Sequence, residues 1–416
     1  VQIENNKNAK YKAIGSMIFG GSQTLGHMET GWNIDRILEI SDDMVNQNSY
    51  SFIKNYPDVP VVTPSTWEND EYLNNLQGKY DLFFANNPCS SLSRINIHAK
   101  TDGANNIHFY RVFNEINHIK PKVFNIENAP TLIKPVGMPI LKDMLDKLPD
   151  YNFVILRDAA GNHGVAMRRL RTIVLGFRKD VFDNKIPIIP MNKQPKVTAK
   201  DVIGKYEKYK VGTKDVLNFD YPNNQKLPEL SKYIYLIKPH ETLIHAFCRQ
   251  ENWDKFSDEI PAKTKKALAR VKDKIDRGVG YWDKSISKVE IDGQFPSATQ
   301  MSEFGHYNQD RQLTTREMAA IMGYPDDFEF FDSGNNFNIA QTLAQGVPKN
   351  FVQYFSKELM NVLDGTNNNF IDNEDNSIRV SFQNHSKEFR KSYTYDEFKN
   401  TSELDVSKKD GIKLDK

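Results

Sequence analysis

The amino-acid sequence predicts a doubly wound α/β domain followed by a smaller, irregular second domain, and three observations carry that prediction. Short apolar runs alternate with polar, helix-periodic stretches over the first 180 residues. These runs have the length of strands and are bounded by turn formers, as in a parallel sheet covered on both faces. From about residue 181 the texture becomes rich in Pro and Lys ("DNKIPIIPMNKQPKVTAKD") and stays irregular to about 310. The expected domains are therefore 1–180 (completed by 335–363), 181–334, and a polar C-terminal tail or small appendage over 364–416.

The elements follow in chain order. "KAIGSMIF" reads as the first strand and runs into Phe19, Gly20 and Gly21. Two glycines let the backbone turn tightly, so that a ligand can sit over the start of the next helix. "NIDRILEI" is the second strand and ends at Glu39 and Ile40, with Glu39 eighteen positions after Gly21. A carboxylate there can accept the hydroxyls of a ribose, although an ordinary strand-end acid explains it equally well. Without a full G-x-G-x-x-G, a single nucleoside is a better guess than a dinucleotide.

"DLFFAN" is a buried strand closed by Asn-Asn-Pro, and it leaves Pro88 and Cys89 at a carboxyl end, where open α/β sheets keep their crevices. Taken alone, Cys89 is either a small buried hydrophobe or a nucleophile. "NIHFYRVFNEINHI" and "MPILKDMLDKL" are helices, and "KVFNIEN", "NFVIL" and "RTIVLGF" are strands. Helical patterns return in "LTTREMAAIMG" and "AQTLAQGVPKNFVQYFSKELMNVL". Thr314 with Glu317 forms a capping box, and Arg316 is expected to tie the domains together. The Asn-rich "DGTNNNFIDNEDNS" opens the weakly ordered tail.

Composition narrows the function classes. A net charge of +1 neither supports nor excludes a polyanionic partner, because a local patch can hide in a balanced total. Two basic clusters stand out: Arg168, Arg169 and Arg171, and the run from Lys263 to Arg277, which reads as a solvated helix face. Two cysteines, Cys89 and Cys248, cannot build a disulfide framework or a structural zinc site, so a reducing, cytoplasmic setting is expected. No apolar run reaches eighteen residues, and no basic-then-apolar leader is present.

With Pro88-Cys89 and Glu127-Asn128 at the ends of successive strands, the chain resembles the DNA (cytosine-5)-methyltransferases. Those enzymes carry a Pro-Cys nucleophile and then a Glu-Asn pair. Other segments fall in the family's order: the glycine turn with Glu39, "GVAMRRLR" for Gln-x-Arg-x-Arg, "RQLTTREMAAIMGYPDDF", and "AQGVPKNF" for Gly-Asn-x-Val-Pro. The resemblance implies a Rossmann-like S-adenosylmethionine-dependent methyltransferase domain with a target-recognition domain, acting as a monomer on double-stranded DNA without a metal. It further implies that Cys89 adds to C6 of a flipped cytosine, that Glu127 activates N3, and that Arg171 and Arg169 hold Glu127 and the base. Phe19, Gly20, Gly21, Glu39, Ile40, Pro88, Gln345 and Val347 would hold the cofactor. Ser93 and Asn128 would meet the DNA, with the segment from Ser93 to about Asn105 closing over the base.

Several positions depart from the family pattern. Ser90 stands where Gln is usual, Leu92 where Phe is, and Met167 where Gln is. The acid expected after the third strand is missing from "VVTPST", with Glu68 and Asp70 the nearest, and Ala344-Gln345 replaces Gly-Asn. Gln345 raises the question of a modified S-adenosylmethionine. The rival readings are a tRNA cytosine methyltransferase and a catalytically idle relative that binds DNA; retention of both Cys89 and Glu127 argues against the second.

Overall fold

Each buried apolar run becomes a strand of one central sheet. The computed structural model describes the chain except for residues 1–2, 44–48, 89, 93–100, 102, 104–105, 223–227, 240, 280–284, 298–302, 332–338, 385–386 and 405–416. It divides into two compact units, a larger one of residues 2–164, 169–195 and 346–416 and a smaller one built mainly from 165–168 and 196–345.

The larger unit opens with β1 (Lys12–Ser16), α1 (Ser22–Thr30), β2 (Asn33–Leu38), α2 (Tyr50–Asn55), β3 (Val61–Val62), α3 (Pro64–Trp67) and α4 (Asp70–Asn74). It continues with β4 (Leu82–Asn86), α5 (Ile107–Ile119), β5 (Val123–Asn128), α6 (Met138–Lys147), β6 (Tyr151–Ala159), β7 (Leu170–Arg178) and β8 (Lys185–Pro187). The smaller unit holds α7 (Ala199–Ile203), α8 (Leu243–Cys248), α9 (Gln250–Phe256), α10 (Ala262–Asp276), α11 (Thr315–Ile321) and α12 (Ile339–Gln345). The chain then returns to the larger unit with α13 (Lys349–Asp364), β9 (Phe370–Asp372), β10 (Ser377–Asn384), β11 (Lys387–Thr394) and α14 (Tyr395–Asn400).

Among the described residues the sheet has nine strands in the order β11-β10-β6-β7-β5-β4-β1-β2-β3. β1 pairs in parallel with both β2 and β4, so the winding reverses direction there, which makes the carboxyl ends of β1 and β4 the natural crevice. β4 is buried at every position, as a strand covered on both faces must be. Its alternation assigns the faces. Phe83 joins the cluster with Phe109, Phe113 and Ile116 of α5, whereas Phe84 lies 4.5 Å from the His27 ring of α1. α1 itself packs on α13 so closely that a Cβ on Gly26 would fall 2.6 Å from Val352 Cβ.

Residues 370–400 correct the expectation of a tail. β10 pairs in parallel with β6, and β11 antiparallel with β10, so the two extend the central sheet. Ile378, Val380 and Phe382 alternate into the core cluster together with Tyr393 and Phe398. The Asn-rich composition masked this period of two. Its buried Asn373 donates from Nδ2 to Asn152 Oδ1 at 2.7 Å, a structural use of asparagine. Residues 181–195, expected in the second domain, also group with the larger unit, where β8 pairs with β9.

The smaller unit has its own core of Leu230, Tyr233, Leu243, Phe247, Cys248 and Leu268. Residues 165–168 belong to it because Met167 bridges Phe295 and the Arg168 N–H donates to Phe295 O at 2.8 Å. The capping box of Thr314 and Glu317 opens α11. Arg316 is fully buried and donates to the carbonyls of Leu217 (2.9 Å) and Pro325 (2.8 Å). Those partners lie inside the smaller unit, so the expected tie between domains is in fact an internal staple.

Candidate active site

The turn after β1 concentrates left-handed backbone: Met17 has φ 55, Phe19 φ 49 and Gly21 φ 88. Gly21 is the N-cap of α1, and a Cβ there would meet the Phe52 ring at 2.4 Å, so both conformation and space demand glycine. Its N–H donates to Ile18 O at 2.9 Å, which closes the turn. Phe19 is half-buried and Gly20 buried.

Glu39 lies just beyond β2 and is buried, beside half-buried Ile40. The Ile40 N–H donates to its Oε2 at 3.3 Å, and Trp67 Nε1 donates to its backbone carbonyl at 2.8 Å. Oε1 finds no hydrogen-bond partner among the described residues. Burial pushes the carboxyl up to about 7, against the downward pull of the Ser49 hydroxyl and the Ile40 amide. A buried carboxylate with an unspent oxygen, close after a glycine turn, fits the hydroxyls of a nucleoside.

The second half of the site lies at the ends of β4 and β5. β7 runs antiparallel to β5, with Glu127 opposite Ile173 and Asn128 opposite Thr172, so the start of β7 reaches the carboxyl end of β5. Arg171 Nε thereby comes within 2.7 Å of Glu127 Oε1. Both groups are nearly shut off from solvent, with side chains 12% and 3% exposed. Burial pushes the Glu127 carboxyl up, while the Arg171 and Arg169 guanidiniums pull it back down. Arg169 is itself buried. Such a carboxyl can exchange a proton at modest cost.

Asn128 is buried and spends its amide on the protein, with Nδ2 donating to Asn87 O at 3.0 Å and Oδ1 accepting the Ala129 N–H at 2.9 Å. It thus laces the end of β5 to the end of β4. Asn87 in turn donates from Nδ2 to His108 O at 2.9 Å, and Pro88 is half-buried beside it. Cys89 and Ser93 lie outside the described residues. Gln345 ends α12 in the smaller unit, and Val347 is buried in the larger.

Glu68 and Asp70, the acids nearest the missing position, have other engagements. Glu68 pairs with Arg111 at 2.9 Å, and Asp70 lies 3.6 Å from His118 Nε2. Met167, in the place of the expected Gln, is fully buried. Sequence reasoning missed Trp67, which holds the backbone carbonyl of Glu39 from outside its own strand and carries no motif. It also missed Glu115, a fully buried acid on α5 whose carboxyl burial pushes up to about 8. The apolar face of α5 offered a signal, since Glu115 interrupts it between Val112 and Ile119. Among the described residues no group of three His, Cys, Asp or Glu could hold a metal ion, and no helix is long and apolar enough to cross a membrane.

Comparison with known proteins agrees with this architecture. The sequence model of the family described as C-5 cytosine-specific DNA methylase matches residues 20–361. The Type II methyltransferase M.MthTI of Methanothermobacter thermautotrophicus is 25% identical over 354 residues, covering 84% of this chain and 96% of the relative. M.PspPI of a Psychrobacter species is 25% identical over 291 residues, 69% of this chain and 65% of the relative. Among solved structures, a DNA modification methyltransferase encoded within an E. coli prophage shares the fold with a TM-score of 0.55 at 18% identity, covering 85% of this chain and all of that one.

Proposed function

The chain belongs to the C-5 cytosine-specific DNA methylase family and is a DNA cytosine-C5 methyltransferase, and we propose that Cys89 is its nucleophile and Glu127 its acid. The observation that carries the assignment of roles is the buried pair of Arg171 and Glu127, 2.7 Å apart at the end of β5. This strand end neighbours that of β4, after which Pro88 and Cys89 follow.

The residue types suit the reaction. Cytosine C5 is too weak a nucleophile to take a methyl group unaided. The Cys89 thiolate adds to C6, and the ring becomes an enamine with electron density at C5. Glu127, whose carboxyl burial pushes up against the pull of Arg171 and Arg169, protonates or hydrogen-bonds N3 and so draws charge away from C6 as the thiolate attacks. Arg171 fixes the carboxyl of Glu127, and Arg169 adds positive charge behind it. S-adenosylmethionine, when bound, supplies an electrophilic sulfonium methyl. The turn at Phe19, Gly20 and Gly21 would take its methionine side, and Glu39 with Ile40 its ribose, with Pro88 and Val347 lining the site. After methylation the C5 proton leaves, C5–C6 becomes a double bond again and the thiolate is expelled. C6 is out of reach in a stacked duplex, so the base must be flipped out. We assign Ser93 to contact with the DNA and Asn128 to holding the two strand ends in register.

The test is a trap. A duplex with 5-fluorocytosine at every cytosine, incubated with S-adenosylmethionine, forms a denaturant-stable adduct because fluorine cannot leave as a proton does. Wild type gives the adduct and Cys89→Ser does not. Absence of an adduct from wild type on duplex DNA overturns the assignment. Gln345 adds a second question, whether the donor carries a group other than methyl. Product masses after incubation with ordinary and modified S-adenosylmethionine decide it, and a mass gain of one methyl alone returns the ordinary donor.

A further inference from the structure

The helix α10 (Ala262–Asp276) sorts its cations by face. Its inward side packs Leu268 into the core of the smaller unit, buries Lys272, and is anchored by Thr264 Oγ1 donating to Glu229 Oε1 at 2.7 Å. Three of its cations are neutralised locally: Lys265 pairs with Asp258, Lys272 with Asp276 at 2.7 Å, and Arg277, just past the helix, with Asp273 at 2.7 Å. Lys263, Lys266, Arg270 and Lys274 are all exposed and have no acidic partner among the described residues. Their spacings of three, four and four place them within an arc of about 80° at 100° per residue, opposite the buried face. Along the axis they cover about 16 Å.

This arrangement works against the helix that carries it. Like charges at i, i+3 and i, i+4 repel, and Lys263 sits near the amino-terminal end, which is itself positive, with only Lys274 in the last turn favoured by the helix dipole. The first turn carries no acid to offset Lys263. Stability therefore does not account for the stripe, whereas a polyanion of matching length does. About 16 Å of duplex axis presents roughly five phosphates per strand at 3.4 Å each.

We propose that Lys263, Lys266, Arg270 and Lys274 form a phosphate-tracking face through which the smaller unit grips the backbone of duplex DNA, independently of base sequence. The inference rests on the reading of the chain as a DNA methyltransferase. It adds a contact that positions the duplex without reading it.

The test is the salt dependence of binding to a labelled duplex of about 25 base pairs, followed by anisotropy. A neutral variant carries Lys263→Gln, Lys266→Gln, Arg270→Gln and Lys274→Gln. A charge-conserving variant carries Lys263→Arg, Lys266→Arg, Arg270→Lys and Lys274→Arg. Four phosphate contacts contribute roughly 3 to 4 to the slope of log affinity against log salt. The neutral variant should lose that much of the slope on every duplex sequence, and the charge-conserving variant should keep it. Between 50 and 200 mM salt, wild-type affinity should then fall on the order of a hundredfold more than that of the neutral variant. An unchanged slope in a neutral variant that still melts cooperatively overturns the inference, as does a loss seen on duplex RNA and not on DNA. A wild type that binds no duplex and traps no 5-fluorocytosine instead overturns the methyltransferase reading beneath it.

Discussion

At the scale of single residues, burial rather than motif decides what the acids do. Glu39 is pushed up to about 7 and Glu115 to about 8, so in both the folded state holds its proton more tightly than the unfolded chain. The stability they contribute is therefore complete below their ordinary range near 4.5 and is lost as pH rises through 7 and then 8. The cofactor-free protein should melt at a lower temperature at pH 8.5 than at pH 6, and Glu115→Gln should narrow that gap in a thermal scan. The ribose contact proposed for Glu39 needs it ionised, so cofactor affinity should run the other way. It should rise roughly tenfold between pH 6 and 8 by titration calorimetry, and Glu39→Gln should flatten the profile. At Glu127 the balance is set by its guanidinium neighbours. Arg171→Ala leaves the carboxyl with burial and less opposing charge, so the alkaline limb of the pH–rate profile, where Glu127 loses its proton, should move upward. A purely structural arginine would lower the rate and leave the limb in place.

At the scale of elements, the close approach of α1 and α13 is the most exposed to test. Ala at position 26 gains roughly 1 kcal/mol in helix propensity over glycine. Its Cβ would nonetheless sit 2.6 Å from Val352 and 2.9 Å from the Lys349 carbonyl, part of which is backbone that cannot swing away. Gly26→Ala should therefore destabilise the protein by about 1–3 kcal/mol in a denaturant titration. The same scale shows what could be read before any coordinates. The strand "LFFAN" was legible because a parallel strand covered on both faces is a near-continuous apolar run, and "VFNIEN" because its Val123, Phe124 and Ile126 lead into a polar strand end. α1 was legible only from its glycine turn, since its buried residues include Ser22, Gln23, Thr24 and His27 and mimic a surface helix. Trp67 holds the carbonyl of Glu39 from 28 positions away, a relation that no local pattern encodes. The strand in "SIRVSF" alternates properly, but the Asn-rich run before it has the composition of a weakly ordered tail and hides the period of two.

At the scale of the whole molecule, the edge strands are part of the larger unit's fold. Val380 is fully buried and pairs in register with Ile155 of β6. Val380→Asp should cost on the order of 4 kcal/mol, and it should lower the single thermal transition of the larger unit rather than merely loosen its end. A melting temperature unchanged by that substitution would return residues 370–400 to the status of an appendage. The discontinuity of the larger unit also bears on how a cell makes it. α13 closes the same layer as α1, yet it emerges from the ribosome about 320 residues later. At ordinary elongation rates of roughly 5–20 residues per second, that is a delay of a quarter-minute to a minute. Throughout that delay one face of the nascent sheet has sequence to pair with but no lid to cover it. Yield should therefore depend on what shields the chain during translation, and a slowed ribosome should lengthen the hazard in direct proportion.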